Sequence, residues 1–333
     1  MNNVLVNSAV ALIVAGTLGA CGFDDVKNSS TPPPPPLSNW SSQPSESASR
    51  LRDVFFINSN QGWIVGDSLT VMSTTNGGAN WPLVPANSLL RNLRSVFLIS
   101  SQTGWMTGGS DVSPTDGQVY VSKMGGAYPT LQETVNRPLN TIFFLNFNTG
   151  WAGGDSSVLV RTDNAGLSWT RSTIGTKDNI FDLHFFTPEI GWAATSNGGI
   201  YRTKDGTTWT KENLGTLSSD MHAIHFVDTL HGWACGAGNT IVRRELDPNN
   251  NVIWTTSSIT SESVSAVWND IFFIGAQMGW VVGSNGVYKT IDGGTTWTKE
   301  STNVQINFNA IYMVSSTIGW IVGDSGNILT YTP

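Results

Sequence analysis

Charge is scarce in this sequence. Only 12% of its 333 residues are Asp, Glu, Lys or Arg, and carboxylates outnumber Lys and Arg by 24 to 17, a net charge of −7. A nucleic-acid partner needs a basic stripe to neutralise phosphates, so that partner class is excluded. Cysteine is scarcer still, and Cys21 and Cys235 cannot supply a disulfide framework. Cys235 sits in the apolar run Trp233-Ala234-Cys235, as a buried, inert thiol would. The four histidines (His184, His222, His225 and His231) show no zinc-ligand spacing, and no loop has the dense oxygen set of a calcium site. No metal and no cofactor is expected. No long segment repeats apolar residues at helical spacing.

What the chain has instead is glycine (35 residues) and tryptophan (14), the composition of short strands and tight turns. At the N-terminus the apolar run Ala9 to Leu18 is too short to cross a bilayer and suits a signal-peptide core. It ends in Leu18-Gly19-Ala20-Cys21, which resembles the lipobox of bacterial lipoproteins. The resemblance implies cleavage before Cys21, acylation of its thiol, and a membrane anchor in the bacterial cell envelope. With Gly22 next, it leans toward an outer membrane. The n-region departs from the pattern in lacking Lys and Arg, and an ordinary signal peptide is the alternative. Residues 1–20 are thus read as the signal, and 21–39 as a stalk. The stalk is rich in Ser, Asn and Pro and holds five consecutive prolines, Pro32 to Pro36, so it is too poor in apolar side chains to fold.

From residue 40 onward the chain repeats. The dipeptide Gly-Trp occurs seven times, with tryptophans at 63, 105, 151, 192, 233, 280 and 320, spaced 40 to 47 residues apart. An apolar run such as Val54-Phe55-Phe56 precedes each, and a turn and a short strand follow. A second aromatic then opens a fourth strand: Trp81, Tyr128, Trp169, Trp209, Trp254 and Trp297. Four short strands in about 42 residues make one propeller blade. The predicted fold is therefore all-β, a single seven-bladed β-propeller of four-stranded blades over residues 40–333. The chain ends settle how it closes. The seventh repeat stops after Ile328-Leu329-Thr330-Tyr331 without its second aromatic, while Trp40 precedes the first repeat without a blade of its own. Trp40 lies 23 residues before Trp63, matching the spacing elsewhere. The N-terminal strand around Trp40 should complete the C-terminal blade and leave no open edge. An open solenoid is the alternative.

The turns between third and fourth strands carry a motif. Thr290-Ile291-Asp292-Gly293-Gly294-Thr295-Thr296-Trp297 resembles the Asp-box, or bacterial neuraminidase repeat. Thr74–Trp81 and Thr162–Trp169 match with Asn76 and Asn164 in place of the acid, the turn at Asp205 is one residue shorter, and repeats two and five are degenerate. The role of these residues is local, an Asx side chain accepting backbone N–H groups in a tight turn. Gly-Trp repeats interleaved with Asp-boxes resemble the photosystem II stability/assembly factor family. That resemblance implies a non-enzymatic, monomeric scaffold that binds a protein or peptide partner, and it does not extend to the photosystem itself.

One position looks unlike core. About eleven residues before each Gly-Trp tryptophan stand Arg52, Arg94, Asn140, Asp182, His222, Asn269 and Asn309. If the following strand is innermost, these form a polar ring at one mouth of the central channel, suited to a peptide or small ligand. The competing reading is that Asn and Asp favour strand starts. Asp67, Asp155 and Asp324 follow their Gly-Trp by four residues and read as hairpin residues. His184 and His225 replace apolar residues of other repeats and read as core, which leaves His222 as the histidine to test. The rival function is a glycosidase, because Asp-box propellers include sialidases. A sialidase would carry an early Arg-x-Pro motif and an arginine triad, and this sequence holds no such motif and only ten arginines. Glucanases of the xyloglucan type need carboxylates between two propellers.

Overall fold

The computed structural model describes residues 39–85, 92–110, 115–263 and 265–331. The readings placed on the signal segment, Cys21 and the proline run lie outside them. Apart from two single 3₁₀ turns at Asp155–Ser157 and Asp324–Gly326, every described element is a strand. Seven antiparallel sheets follow one another along the chain. Each begins with an innermost strand: Leu51–Phe56, Asn92–Leu98, Leu139–Phe144, Ile180–Phe185, Met221–Phe226, Trp268–Ile274 and Phe308–Ser315 for blades one to seven. Each innermost strand packs against those of both neighbouring blades, and this closes the ring.

Closure occurs where the spacing of Trp40 puts it. Strand Trp40–Gln43 pairs antiparallel with Ile328–Tyr331, Trp40 opposite Tyr331, and becomes the fourth strand of blade seven. Trp40 is fully buried, packs on Tyr331 at 4.8 Å between ring centroids, and donates its indole N–H to Glu300 at 2.5 Å. Six blades have four strands. Blade one has three, because its fourth position is an irregular segment holding Pro82, which has no N–H to give the ladder. The bridge Met72–Leu83, the Val84 N–H to the Val71 carbonyl (3.0 Å) and the Ser73 N–H to the Pro82 carbonyl (3.4 Å) tie that segment on.

Phenylalanine and tryptophan explain both halves of the repeat. In five of the seven interfaces the Gly-Trp indole of one blade stacks on a Phe of the next blade's innermost strand, at 3.4–4.1 Å. The pairs are Trp320–Phe56, Trp105–Phe144, Trp151–Phe185, Trp192–Phe226 and Trp233–Phe273. The same Phe meets the fourth-strand tryptophan of its own blade edge-on, at 5.6–6.1 Å. Each such pair adds about 0.5–1.5 kcal/mol beyond the area it buries. The glycine of the motif makes room for this ring rather than for neighbouring backbone. A Cβ on Gly62, Gly150, Gly191, Gly232 or Gly279 would lie 2.2–2.7 Å from the Phe of its own blade. Blade two has Leu98 at the Phe position, so Tyr128 has no ring to meet. It lies 60% exposed in a left-handed backbone conformation, and it does not serve as a fourth-strand core aromatic.

The Asp-box turns are held by local hydrogen bonds. In the turn at Asp292 the Thr290 hydroxyl accepts the Asp292 and Gly294 N–H groups, and the Asp292 carboxylate accepts from Thr296 N–H and its hydroxyl. Although partial burial works against it, these donors hold the Asp292 carboxyl down at about 2. Asn76, Asn164 and Asp205 accept the same kind of backbone donor.

Candidate binding surface at the channel mouth

The innermost strands share one irregularity. Each has a β-bulge near its start, where one residue is skipped in the pairing with the second strand. The skipped residues are Arg52, Arg94, Asn140, Phe181, His222, Asn269 and Asn309. Six of them are the residues of the sequence-derived ring. The seventh corrects it: in blade four the bulge holds Phe181, and Asp182 sits one position further in. The ten-residue spacing of Asp182, against eleven elsewhere, was the sign of this shift.

Most bulge side chains link blade to blade. His222 Nδ1 meets the Trp268 carbonyl at 3.0 Å. The Nδ2 groups of Asn140, Asn269 and Asn309 donate to the carbonyls of Ile180, Phe308 and Leu51, at 2.7–2.9 Å. In each case the acceptor immediately precedes the next blade's bulge. Arg94 donates to Asn140 Oδ1 at 2.5 Å. Three bulge residues also hold the turn aspartate of their own blade: Arg52 with Asp67, Asn140 with Asp155 and Asn309 with Asp324. The turn aspartates thus join the polar mouth, a role their hairpin chemistry alone did not suggest. Arg50 reaches Asp324 at 3.2 Å and Asn309 at 2.9 Å, and Arg137 donates to Ser156 at 3.3 Å. Arg50, Arg52, Arg94 and Arg137 therefore occupy one sector of the mouth, across blades one to three. Arg50 and Arg137 fall outside the repeat position, which is why spacing did not single them out.

One residue inside the bulge lies a second set: Asp53, Ser95, Thr141, Asp182, Ala223, Asp270 and Ala310. Each of the three carboxylates accepts the N–H of the next residue and an N–H of the next blade, all at 2.8–2.9 Å. Asp53 joins Val54 and Val96, Asp182 joins Leu183 and Ile224, and Asp270 joins Ile271 and Ile311. These three carboxylates are half-buried. Burial raises Asp53 to about 7 and Asp182 to about 6, and pushes Asp270 well above the ordinary range. Asp182 and Asp270 come from blades four and six, yet like charge couples them to each other and to Asp53 in blade one.

Two residues deeper the channel is lined with rings. Phe55, Phe97, Phe143, His184, His225, Phe272 and Tyr312 form an unbroken circuit, each centroid 4.5–5.5 Å from the next. All seven stand eight residues before a Gly-Trp tryptophan. His184 and His225 belong to this circuit and are partly accessible, so they line the channel rather than fill a blade core. Burial holds both below the usual histidine value, His225 at about 4, so both are neutral at pH 7. Cys235 is fully buried, and burial pushes its thiol well up, as its apolar context suggested.

Comparison with known proteins agrees with this geometry. Residues 218–332 match the family model described as photosynthesis system II assembly factor YCF48. The fold is that of a photosystem II assembly factor-like propeller. A solved structure of YCF48 bound to D1 peptide is 22% identical, with a TM-score of 0.72, covering 90% of this chain and 96% of that one. YCF48 from Cyanidioschyzon merolae is 20% identical, with a TM-score of 0.69 and coverages of 89% and 99%. A GH74 xyloglucanase from Xanthomonas campestris superposes with a TM-score of 0.69 at 12% identity, but this chain spans only 54% of it. Among curated proteins, no sequence matches.

Proposed function

We propose that this chain is a non-catalytic scaffold that captures a peptide segment of a partner protein at the arginine-bearing sector of the channel mouth. The observation that carries this reading is the gathering of Arg50, Arg52, Arg94 and Arg137 at the strand starts of three adjacent blades. Guanidinium is a planar, permanently charged donor suited to peptide carboxylates and carbonyls. The rigid bulge girdle beneath holds these side chains in place, so little ordering is needed on binding. A propeller of the same fold that carries a D1 peptide supports a peptide as the ligand class. The buried carboxylates do not favour a glycosidase, since Asp53, Asp182 and Asp270 each spend their oxygens on two backbone N–H groups.

The proposal extends to the N-terminus, where acylation at Cys21 would hold the propeller at the bacterial cell envelope on the non-cytoplasmic side. The decisive experiment captures partners on the full chain and on an Arg52→Glu/Arg94→Glu variant whose circular dichroism is unchanged. Specific partners should be lost from the variant, and equal recovery of all of them would overturn the mouth as the site. A Cys21→Ser chain that stayed acylated would overturn the anchor, and turnover of glucan or sialyl reporters would overturn the non-catalytic reading.

A further inference from the structure

Blades three, four and five place an arginine directly across the sheet from the Gly-Trp tryptophan: Arg161 opposite Trp151, Arg202 opposite Trp192 and Arg243 opposite Trp233. In blade three Asp163 stands two residues on and pairs with Arg161 at 2.9 Å, and in blade five Glu245 pairs with Arg243 at 3.1 Å. In blade four the same position is Lys204. Arg202 therefore rests over the Trp192 ring, its guanidinium carbon 4.9 Å from the centroid, with no hydrogen-bond or ion-pair partner among the described residues. The internal counterion of its neighbours has become a second cation.

The next blade deepens the imbalance. Blade five lacks an Asp-box, and its third and fourth strands are joined instead by a hairpin turn in which Asp247 N–H donates to the Asn251 carbonyl. In two interfaces where the following blade has an Asp-box, a glycine carbonyl of that box accepts the Gly-Trp indole, Gly293 from Trp233 at 2.9 Å and Gly77 from Trp320 at 3.2 Å, while Trp105 finds Gln132 Oε1 at 3.0 Å. Without a box, the buried Trp192 Nε1 has no acceptor. Arg244 of blade five turns inward there, only 3% exposed and 5.5 Å from the Trp192 centroid. One of its donors reaches the Thr229 carbonyl, while its buried Nε has no partner. Arg202 and Arg244 line a groove of about 450 Å³ with Lys204, Thr208, Lys211 and Glu212. The acids beside it are already engaged, Glu212 by the Trp254 indole at 3.2 Å and Asp205 by its own turn. Lys211 turns its ammonium to the Asn197 carbonyl at 3.4 Å and to the Asp178 carboxylate, so Arg202, Lys204 and Arg244 stand against the two engaged acids and leave the groove with an excess of positive charge.

We propose that this groove between the outer strands of blades four and five is an oxyanion site that takes the dianion of a phosphate-bearing small molecule, separate from the peptide surface at the mouth. The buried Arg244 and half-buried Arg202 guanidinium groups can hold oxygens in fixed directions, and Lys204 at the rim adds charge. The test titrates the full chain with inorganic phosphate at constant ionic strength, following tryptophan fluorescence and melting temperature, with chloride and succinate as comparison anions. Phosphate should saturate and raise the melting temperature, while chloride does neither. Lys204→Asp installs the acid found in blade three, so it should weaken phosphate binding about tenfold or more while leaving the fold intact. Arg161→Gln, in a blade that already has its counterion, should change nothing. Equal responses to phosphate and chloride, or a Lys204→Asp chain that binds phosphate as before, would overturn the site. Saturation by succinate but not phosphate would overturn the assignment to a phosphate group.

Discussion

At the start of each innermost strand the seven blades are joined by hydrogen bonds, and only three residues further along they are joined by aromatic rings. The two layers solve one problem with different tolerance. The polar layer accepts Arg, Asn, His or Phe at the bulge and Asp, Ser, Thr or Ala one residue inside it, because a donor or acceptor at either position suffices to reach a neighbouring carbonyl or N–H. Asp182 serves where the bulge is Phe181, and His222 and Asn309 serve where the inner residue is alanine. Where blade two has Ser95 in place of an aspartate, the Ile142 N–H of blade three still finds its hydroxyl at 3.3 Å. The aromatic layer has less latitude. A ring must fill its space, and the circuit admits only Phe, Tyr and His. The stack of Trp on Phe likewise requires a glycine beneath it. Hence the aromatic layer keeps approximate sevenfold symmetry, while the polar layer becomes asymmetric and gathers its arginines in one sector. That asymmetry gives a ring of similar blades one distinguishable place to bind.

The contrast can be broken first at the aromatic layer. Trp320→Ala removes the indole stacked at 3.4 Å on Phe56, across the interface where the last blade meets the first. Loss of a fully packed core tryptophan costs about 3–5 kcal/mol, and denaturant unfolding should show it. An effect under about 1 kcal/mol would mean that the stacks do not dominate blade association.

A smaller loss is expected from the polar layer. Asp270→Ala leaves the Ile271 and Ile311 N–H groups without their acceptor, which should cost about 1–3 kcal/mol in the same assay. Ala223 and Ala310 already occupy this position in blades five and seven, so the alanine itself fits. Asp270→Asn, which keeps one acceptor oxygen, should recover part of the loss.

The weakest test sharpens the comparison through pH, which moves the two layers in opposite directions: His184 and His225 of the aromatic circuit, held neutral by burial, contribute more as pH rises from 4 to 7. Burial raises Asp53 from an ordinary 3.8 to about 7 and Asp182 to about 6. Between the lower and upper values the folded protein keeps protons that the unfolded chain has released, so the contribution of these groups falls as pH rises. It is complete below about pH 4 and lost progressively toward pH 7. The melting temperature of Asp53→Asn relative to the wild type should therefore rise from pH 4 to pH 7, and a difference that does not change with pH would show that Asp53 ionises in the folded ring as it does in water.

Much of this molecule was legible from spacing alone. Seven Gly-Trp dipeptides set the blade count, and the isolated Trp40 foretold the strand that closes the ring, because a buried aromatic must recur at one place in every blade. The bulge ring was legible in six blades out of seven, and the odd spacing in blade four hid Phe181 behind Asp182. The aromatic circuit, equally regular in sequence, was passed over because a Phe before Gly-Trp reads as core whether it faces a neighbouring blade or the channel. Two histidines at that position only reinforced the reading.

The amino-acid order by itself determined the repeat, the antiparallel blades and their closure, since these follow from local turns, alternation and the need to bury rings. Only the tertiary structure decided which polar groups face one another: Asp53 with the carboxylates of blades four and six, the four arginines of the mouth, and Arg202 with Arg244 beside an indole that lacks an acceptor. Those meetings join residues tens to hundreds of positions apart, and closing the ring is what sets their distances.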